Sequence, residues 1–181
     1  MRALLLLLAL AMATPAPAAD VGGPFELPAT SGGRLGDRSL AGRPYALFFG
    51  FTYCAEVCPM TLSSLSIALD ELGAEADDLA VLFVTVDPER DTLDHLATYL
   101  AAFDPRIAGL SGTPAETLAV AQAFKATYRK VPLGGGDYSM DHTAIVYLMG
   151  ADGSLQDNIA YGEDPDIAAA KLRRLVARDP A

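Results

Sequence analysis

The apolar residues of this chain follow two different periods. Residues 44–52, "PYALFFGFT", and residues 79–86, "LAVLFVTV", are short and almost continuously apolar, as strands buried on both faces are. Between them Leu62, Leu65, Leu69 and Leu72 recur at three- and four-residue spacing, which predicts a helix running from Pro59 to a stop at Gly73. Residues 92–102 repeat the helical pattern, with Leu93, Leu96 and Leu100 inward. "IAGLSG", residues 107–112, reads as a short strand. A helix over residues 114–128 follows, with Thr113 as its N-cap and Pro114 at its first position. Residues 143–162 read as a hairpin turning at Asp152-Gly153. The last helix opens at Asp164-Pro165 and is expected to bury Ile167, Leu172, Leu175 and Val176. Its acids come early and Arg173, Arg174 and Arg178 late, the order that suits the helix dipole.

Strands alternating with helices, closed by an antiparallel hairpin and a helix, predict one α/β domain over residues 20–181, a mixed sheet with helices on both faces. Ahead of it, glycines and the Ser31-Gly32-Gly33 turn signal predict a small hairpin extension.

Residues 1–19 do not fit this pattern. A single Arg2 precedes an apolar run from residue 3 to 13, and Ala16-Pro17-Ala18 offers a cleavage site. This is the pattern of an export signal peptide, and the run is shorter than the roughly 20 residues of a membrane-spanning helix. The cleaved protein is expected to work in the periplasm or another extracytoplasmic space, most simply as a monomer, with no stable membrane insertion. Without Arg2, 12 Lys and Arg stand against 23 Asp and Glu, a net charge of −11. A chain this acidic is repelled by nucleic acid and by anionic membrane surfaces.

The chain has two cysteines, both in "FTYCAEVCPM", residues 51–60. A structural bridge between Cys54 and Cys58 would close a loop of a few residues and stabilise weakly. A working pair is the better reading. Pro59 suits the first turn of a helix, where its missing N–H is no loss, so Cys58 falls near the N-cap with Cys54 in the preceding loop. The positive helix end favours thiolate there. An extended segment would hold the two Cα atoms about 13 Å apart and one helical turn about 6 Å. Only the curled form allows a disulfide, or two sulfurs on one metal ion. Soft sulfur donors suit Cu(I), and imidazole suits copper generally. Of the two histidines, His95 lies on the solvent side of its helix and is assigned no function. His142, in "YSMDHTAIVYL", sits where a glycine-rich segment, "LGGGDY", enters a buried strand. From its surroundings alone His142 is either a ligand or a half-buried histidine bonded to its own backbone.

The stretches "FGFTYCAEVCP", "VTVDPERDT", "GLSGT" and "DHTAIVYLMGADG", in this order, resemble the Sco/SenC family, the copper-binding assembly factors of cytochrome c oxidase. The resemblance covers nearly the whole mature chain. It implies a thioredoxin-like fold and copper held by Cys54, Cys58 and His142. It also implies that the protein metallates the dinuclear copper site of oxidase subunit II, fed by a copper donor protein, or reduces its cysteines. Two departures stand out. Many family members have Pro-Asp where this chain has Ala55-Glu56, and "MDHTA" lacks the proline that thioredoxins place opposite their cysteines.

Three readings compete for the cysteine pair. The leading one is a copper chaperone. The second is a thiol–disulfide oxidoreductase with Cys54 and Cys58 as its redox-active pair. A thiol peroxidase is weaker, for want of an arginine dedicated to peroxide. Structural zinc is weaker too, since it takes four protein ligands. Among neighbouring residues, Asp141 is a weak second partner for the His142 ring, and Met60 and Met140 are candidate thioether ligands that read more simply as packing residues. "DPERD", residues 87–91, reads first as a turn into a helix capped by Asp91 or Thr92, and second as a segment that shapes the rim of the site or contacts a partner.

Overall fold

The computed structural model describes residues 21–178, so the expected signal peptide lies outside the described residues. A short antiparallel pair, β1 (Glu26–Pro28) and β2 (Arg34–Gly36), forms the N-terminal hairpin and is bridged to the main sheet through Ala29 and Leu110. The main sheet has five strands in the order β5-β4-β3-β8-β9. β3 (Tyr45–Gly50), β4 (Ala80–Thr85) and β5 (Ile107–Leu110) run parallel, and β8 (Val146–Met149) and β9 (Leu155–Ile159) close the other side antiparallel. The helices are α1 (Val57–Leu72), α2 (Leu93–Leu100), α3 (Pro114–Ala123) and α4 (Pro165–Arg178).

Every residue of β3 and β4 is buried, as their unbroken apolar runs require. Successive side chains of β3 serve opposite faces. Phe48 packs edge-on to Phe83 on one, and Phe49 packs against Phe124 and Tyr147 on the other. The Leu62, Leu65, Leu69 and Leu72 stripe buries one side of α1, and Thr113 caps α3 in a full capping box with Glu116.

The structure departs from the sequence reading in four places. Helix α3 stops at Ala123, because Lys125 turns to a φ of 53° and the chain leaves the helix before Tyr128. Ile167 is 51% exposed: α4 buries Ala168, Ala169, Leu172 and Leu175, which leaves Ile167 on its outer side. Helix α1 opens at Val57, so Cys58 is its second residue and Glu56 its N-cap. Finally, residues 128–142 form a second hairpin, β6 (Tyr128–Gly134) and β7 (Asp137–His142), paired only with itself. Gly134, Gly135 and Gly136 all have positive φ at its tip, a conformation that favours glycine.

Candidate metal centre

Strand β3 ends at Gly50, and the cysteine loop begins there. A Cβ on Gly50 would lie 2.6 Å from the Phe83 ring and 2.9 Å from Cys58 Sγ, so only glycine allows the sulfur this close to the strand end. The loop curls as one turn was expected to. The Cys54 N–H reaches Phe51 O at 3.3 Å, and the Cys58 N–H donates to Cys54 Sγ at 3.4 Å. Cys58 is fully buried, Cys54 half-exposed, and neither is in a disulfide.

His142 reaches the pair from the opposite wall, at the end of β7, opposite Tyr128 in the hairpin ladder. Its Nε2 stands 3.6 Å from Cys58 Sγ. Its Nδ1 lies 3.0 Å from the Thr143 carbonyl oxygen, which can only accept. Nδ1 therefore donates to that carbonyl, and Nε2 is the ring nitrogen that faces the sulfurs. The backbone bond goes to the neighbouring Thr143, not to the histidine's own backbone, and it aims the ring at the sulfurs. Phe48 and Phe51 pack edge-on against it. The donor atoms of Cys54, Cys58 and His142 all lie within 4.8 Å of one another. A metal with bonds of about 2.0–2.3 Å to sulfur and nitrogen separates its donors by roughly 3.5–4 Å, so the three residues fit one ion after a small contraction.

The two thiols differ electrostatically. The Cys54 sulfur accepts from the Cys58 thiol, from the His142 ring and from backbone N–H groups of Cys58 and Glu56. These hold it down at about 3, against the upward push of its partial burial. Cys58 shifts up, chiefly because its thiol proton is held by Cys54 and then because it is buried. The apo pair therefore keeps one proton, on Cys58, and presents Cys54 as an accessible thiolate. Of the two cysteines it is Cys54, just ahead of the helix, that gains thiolate character, and not the one inside it.

An open cleft of about 300 Å³ is lined by Cys54 and His142 and walled by Phe51, Ala55 and Val57 on one side and Ser139, Met140 and Ala144 on the other, with Cys58 buried behind it. A larger groove, about 640 Å³, lies elsewhere, along α1 and the β9–α4 loop.

The remaining sequence candidates have other partners. Asp141 pairs with Arg129 at 2.7 Å. Met140 is buried and Met60 exposed. His95 is exposed, as expected, yet its ring stacks on Tyr53 and its Nε2 lies 3.0 Å from Thr52 Oγ1, so it supports the cysteine loop. The "DPERD" stretch does turn into a helix capped by Thr92, but it does more than that. Asp91, fully buried, accepts from the Thr52 N–H, the Thr52 hydroxyl and the Thr85 hydroxyl at 3.0, 2.6 and 2.6 Å. Asp87, also buried, accepts from the Tyr138 hydroxyl at 2.8 Å and from Arg90 Nε. Sequence reasoning missed Arg90 and Tyr138. The available signal was two carboxylates directly after an apolar strand, where burial demands partners.

Residues 13–177 match the SCO1/SenC family model. The human mitochondrial protein SCO1 homolog is 40% identical over 155 residues, 84% of this chain and 52% of the human one. The chain thus spans about half the length of the curated relatives it matches. Bradyrhizobium japonicum ScoI, solved with copper bound, is 44% identical, covers 86% of this chain and 99% of its own, and superposes with a TM-score of 0.80. BsSco, a member of the Sco family of cytochrome c oxidase assembly proteins in which a disulfide switch was identified, is 26% identical over 90% of this chain and 96% of its own, with a TM-score of 0.69. The sheet and its flanking helices match these thioredoxin-like Sco structures. With the family model covering most of its length and relatives at this level of identity, the chain belongs to the SCO1/SenC family.

Proposed function

We propose that this protein is an extracytoplasmic copper chaperone that assembles the dinuclear copper site of cytochrome c oxidase. It carries one copper ion on Cys54 Sγ, Cys58 Sγ and His142 Nε2. The observation that carries this reading is the convergence of two sulfurs and an imidazole nitrogen within 4.8 Å, two of the three residues lining an open cleft. Two thiolates select Cu(I) over harder ions, and the imidazole suits both oxidation states of copper. Cys54, already a thiolate and half-exposed, meets incoming metal first. Cys58 must give up its proton to join, so loading releases about one proton per ion at neutral pH. The cleft leaves the cargo reachable by the thiolates of a client. An acidic surface, expected from the net charge of −11 without residues 1–19, suits a carrier of cations in an exported space.

The chaperone receives copper from a donor protein, delivers it to oxidase subunit II, and works as a monomer freed from a leader at residues 1–19. Among the described residues no helix is long and apolar enough to cross a membrane. Mass spectrometry of the native protein checks the leader. A mature chain still starting at Met1 contradicts it.

The direct test loads reduced protein with Cu(I), mixes it with the copper-free soluble domain of subunit II, and follows the absorbance of the client's copper site. Stoichiometric loading and transfer support the reading, and loading without transfer overturns the delivery role. A second reading, a thiol–disulfide reductase of the client's cysteines, draws on the low-lying, accessible Cys54 thiolate. It predicts that metal-free reduced protein reduces an oxidised subunit II domain and that Cys54→Ser does not.

A further inference from the structure

Strand β7 presents Tyr138, Met140 and His142 on one face, because alternate residues of a strand point the same way. Each meets something different. His142 faces Cys58, Met140 is buried, and Tyr138 meets the "DPERD" segment. The hairpin has no strand partner in the main sheet. Its outer ion pairs, Arg129 with Asp141 and Lys130 with Glu89, are exposed and hold little.

The tie at Tyr138 is of another kind. The Arg90 guanidinium sits between two rings, 3.8 Å from the centre of Tyr138 and 4.6 Å from that of Tyr53. Its Nη1 donates to the Tyr138 carbonyl at 2.9 Å, its Nε donates to the buried Asp87, and the Tyr138 hydroxyl donates to the other oxygen of Asp87 at 2.8 Å. Tyr53 directly precedes Cys54. One arginine thus joins the wall that carries the thiols to the wall that carries the imidazole. Among the described residues Arg90 Nη2 is buried with no hydrogen-bond acceptor. A buried unmet donor costs stability, so the arginine is not placed here by stability alone.

We propose that Arg90, with Asp87 and Tyr138, is a latch that holds the β6–β7 hairpin closed and so sets how long His142 stays on the metal. Arg90 touches neither copper nor its ligands and is a positioning residue. Opening the latch leaves both thiolates in place and frees the hairpin to carry His142 away, which turns a three-donor site into a two-donor one. This rests on the copper reading above only in its first test.

That test is a double-mutant cycle. Cu(I) affinity is measured by competition with a chromophoric chelator for wild type, Arg90→Ala, His142→Ala and the double variant. Loss of a group that orients a metal ligand costs about 10–100-fold in affinity, and Arg90→Ala is expected at the lower end of that range. Arg90→Lys keeps the charge but lacks the planar fork and recovers only part of the loss. In the His142→Ala background, removing Arg90 should change affinity by less than about twofold, since additivity fails only where two groups act on one thing. An equal loss in both backgrounds would mean that Arg90 acts on the thiols or the whole fold, and would overturn the latch. So would no loss at all in the first.

The second test needs no metal. In apo protein, Tyr138→Phe removes only the hydroxyl bond to Asp87. It should speed amide hydrogen exchange at Met140 and His142 severalfold while exchange in β3 and β4 stays as in wild type. Exchange unchanged on β7, or raised equally in the central strands, contradicts the latch. If wild type bound no copper, the copper reading would fall and this second test would still decide the latch.

Discussion

The two walls of the site are built by different physics. On the cysteine wall, Cys58 belongs to a helix whose apolar stripe is sunk into the core, and Gly50 and Phe83 fix the sulfur from below. On the histidine wall, a mostly exposed hairpin hangs beside the sheet and is held by a few polar contacts around Arg90, a buried methionine and the bonds at its base. Packing fixes two donors, and hydrogen bonds and ring stacking place the third. The sulfurs are therefore held by the core, and the imidazole by contacts at its edge.

Changes on the cysteine wall should have the largest effects. Cys58→Ser or Cys54→Ser should abolish stoichiometric Cu(I) binding in a chelator competition, because one soft donor and one imidazole cannot compete for the ion. His142→Ala should keep one Cu(I) per chain at weaker affinity and lose more for Cu(II), whose preference for nitrogen is greater. If His95→Ala weakened copper and His142→Ala did not, the comparison of walls would collapse. Next in size is Gly50→Ala, which presses a methyl group between Phe83 and Cys58. It should cost about 1–3 kcal/mol in denaturant unfolding, as overpacking does. An unchanged midpoint would show that the cysteine wall is softer than its packing implies.

The pH dependence of the apo protein is a smaller effect, and its sign follows from the two thiols. Folded, the pair holds one proton from about pH 3 to above the unfolded thiol range, since Cys54 is shifted down and Cys58 up. Unfolded, it holds two protons below about 8.5 and none above. The Cys54 contribution is fully present above the unfolded pKa and is lost as pH falls toward about 3. The Cys58 contribution is fully present below the unfolded pKa and is lost as pH rises past it. Together they make the pair's contribution to stability greatest near the unfolded thiol pKa. Cys54 alkylation should stay fast from pH 8 to 5, where an ordinary thiol slows about tenfold per pH unit. A tenfold fall per unit would remove the thiolate from the cysteine wall. Smallest of all, Glu89→Gln on the outer side of the hairpin should change stability by at most about 1 kcal/mol, because its pair with Lys130 is exposed.

The sequence showed one wall far better than the other. Continuous apolar runs revealed β3 and β4, the leucine spacing revealed α1, and the proline after Cys58 located the strand-to-helix turn. These are core features, and core burial writes periodicity into a sequence. The β6–β7 hairpin buries little of itself, so Tyr128, Arg129, Lys130 and Pro132 show no alternation, and the three glycines read as a loose segment instead of a turn. Arg90 was hidden for the same reason. Its partners Tyr53 and Tyr138 lie far apart in the chain, and only the fold brings them together. Ile167 misled in the other direction, because one apolar residue on an amphipathic helix does not reveal which side faces out.

The most direct measurement is X-ray absorption of the Cu(I)-loaded protein beside its His142→Ala variant. Two sulfur and one nitrogen neighbours in the wild type, with only the nitrogen lost in the variant, are what the convergence of Cys54, Cys58 and His142 predicts. Sulfur-only coordination in the wild type, or a nitrogen neighbour that survives removal of His142, would contradict it.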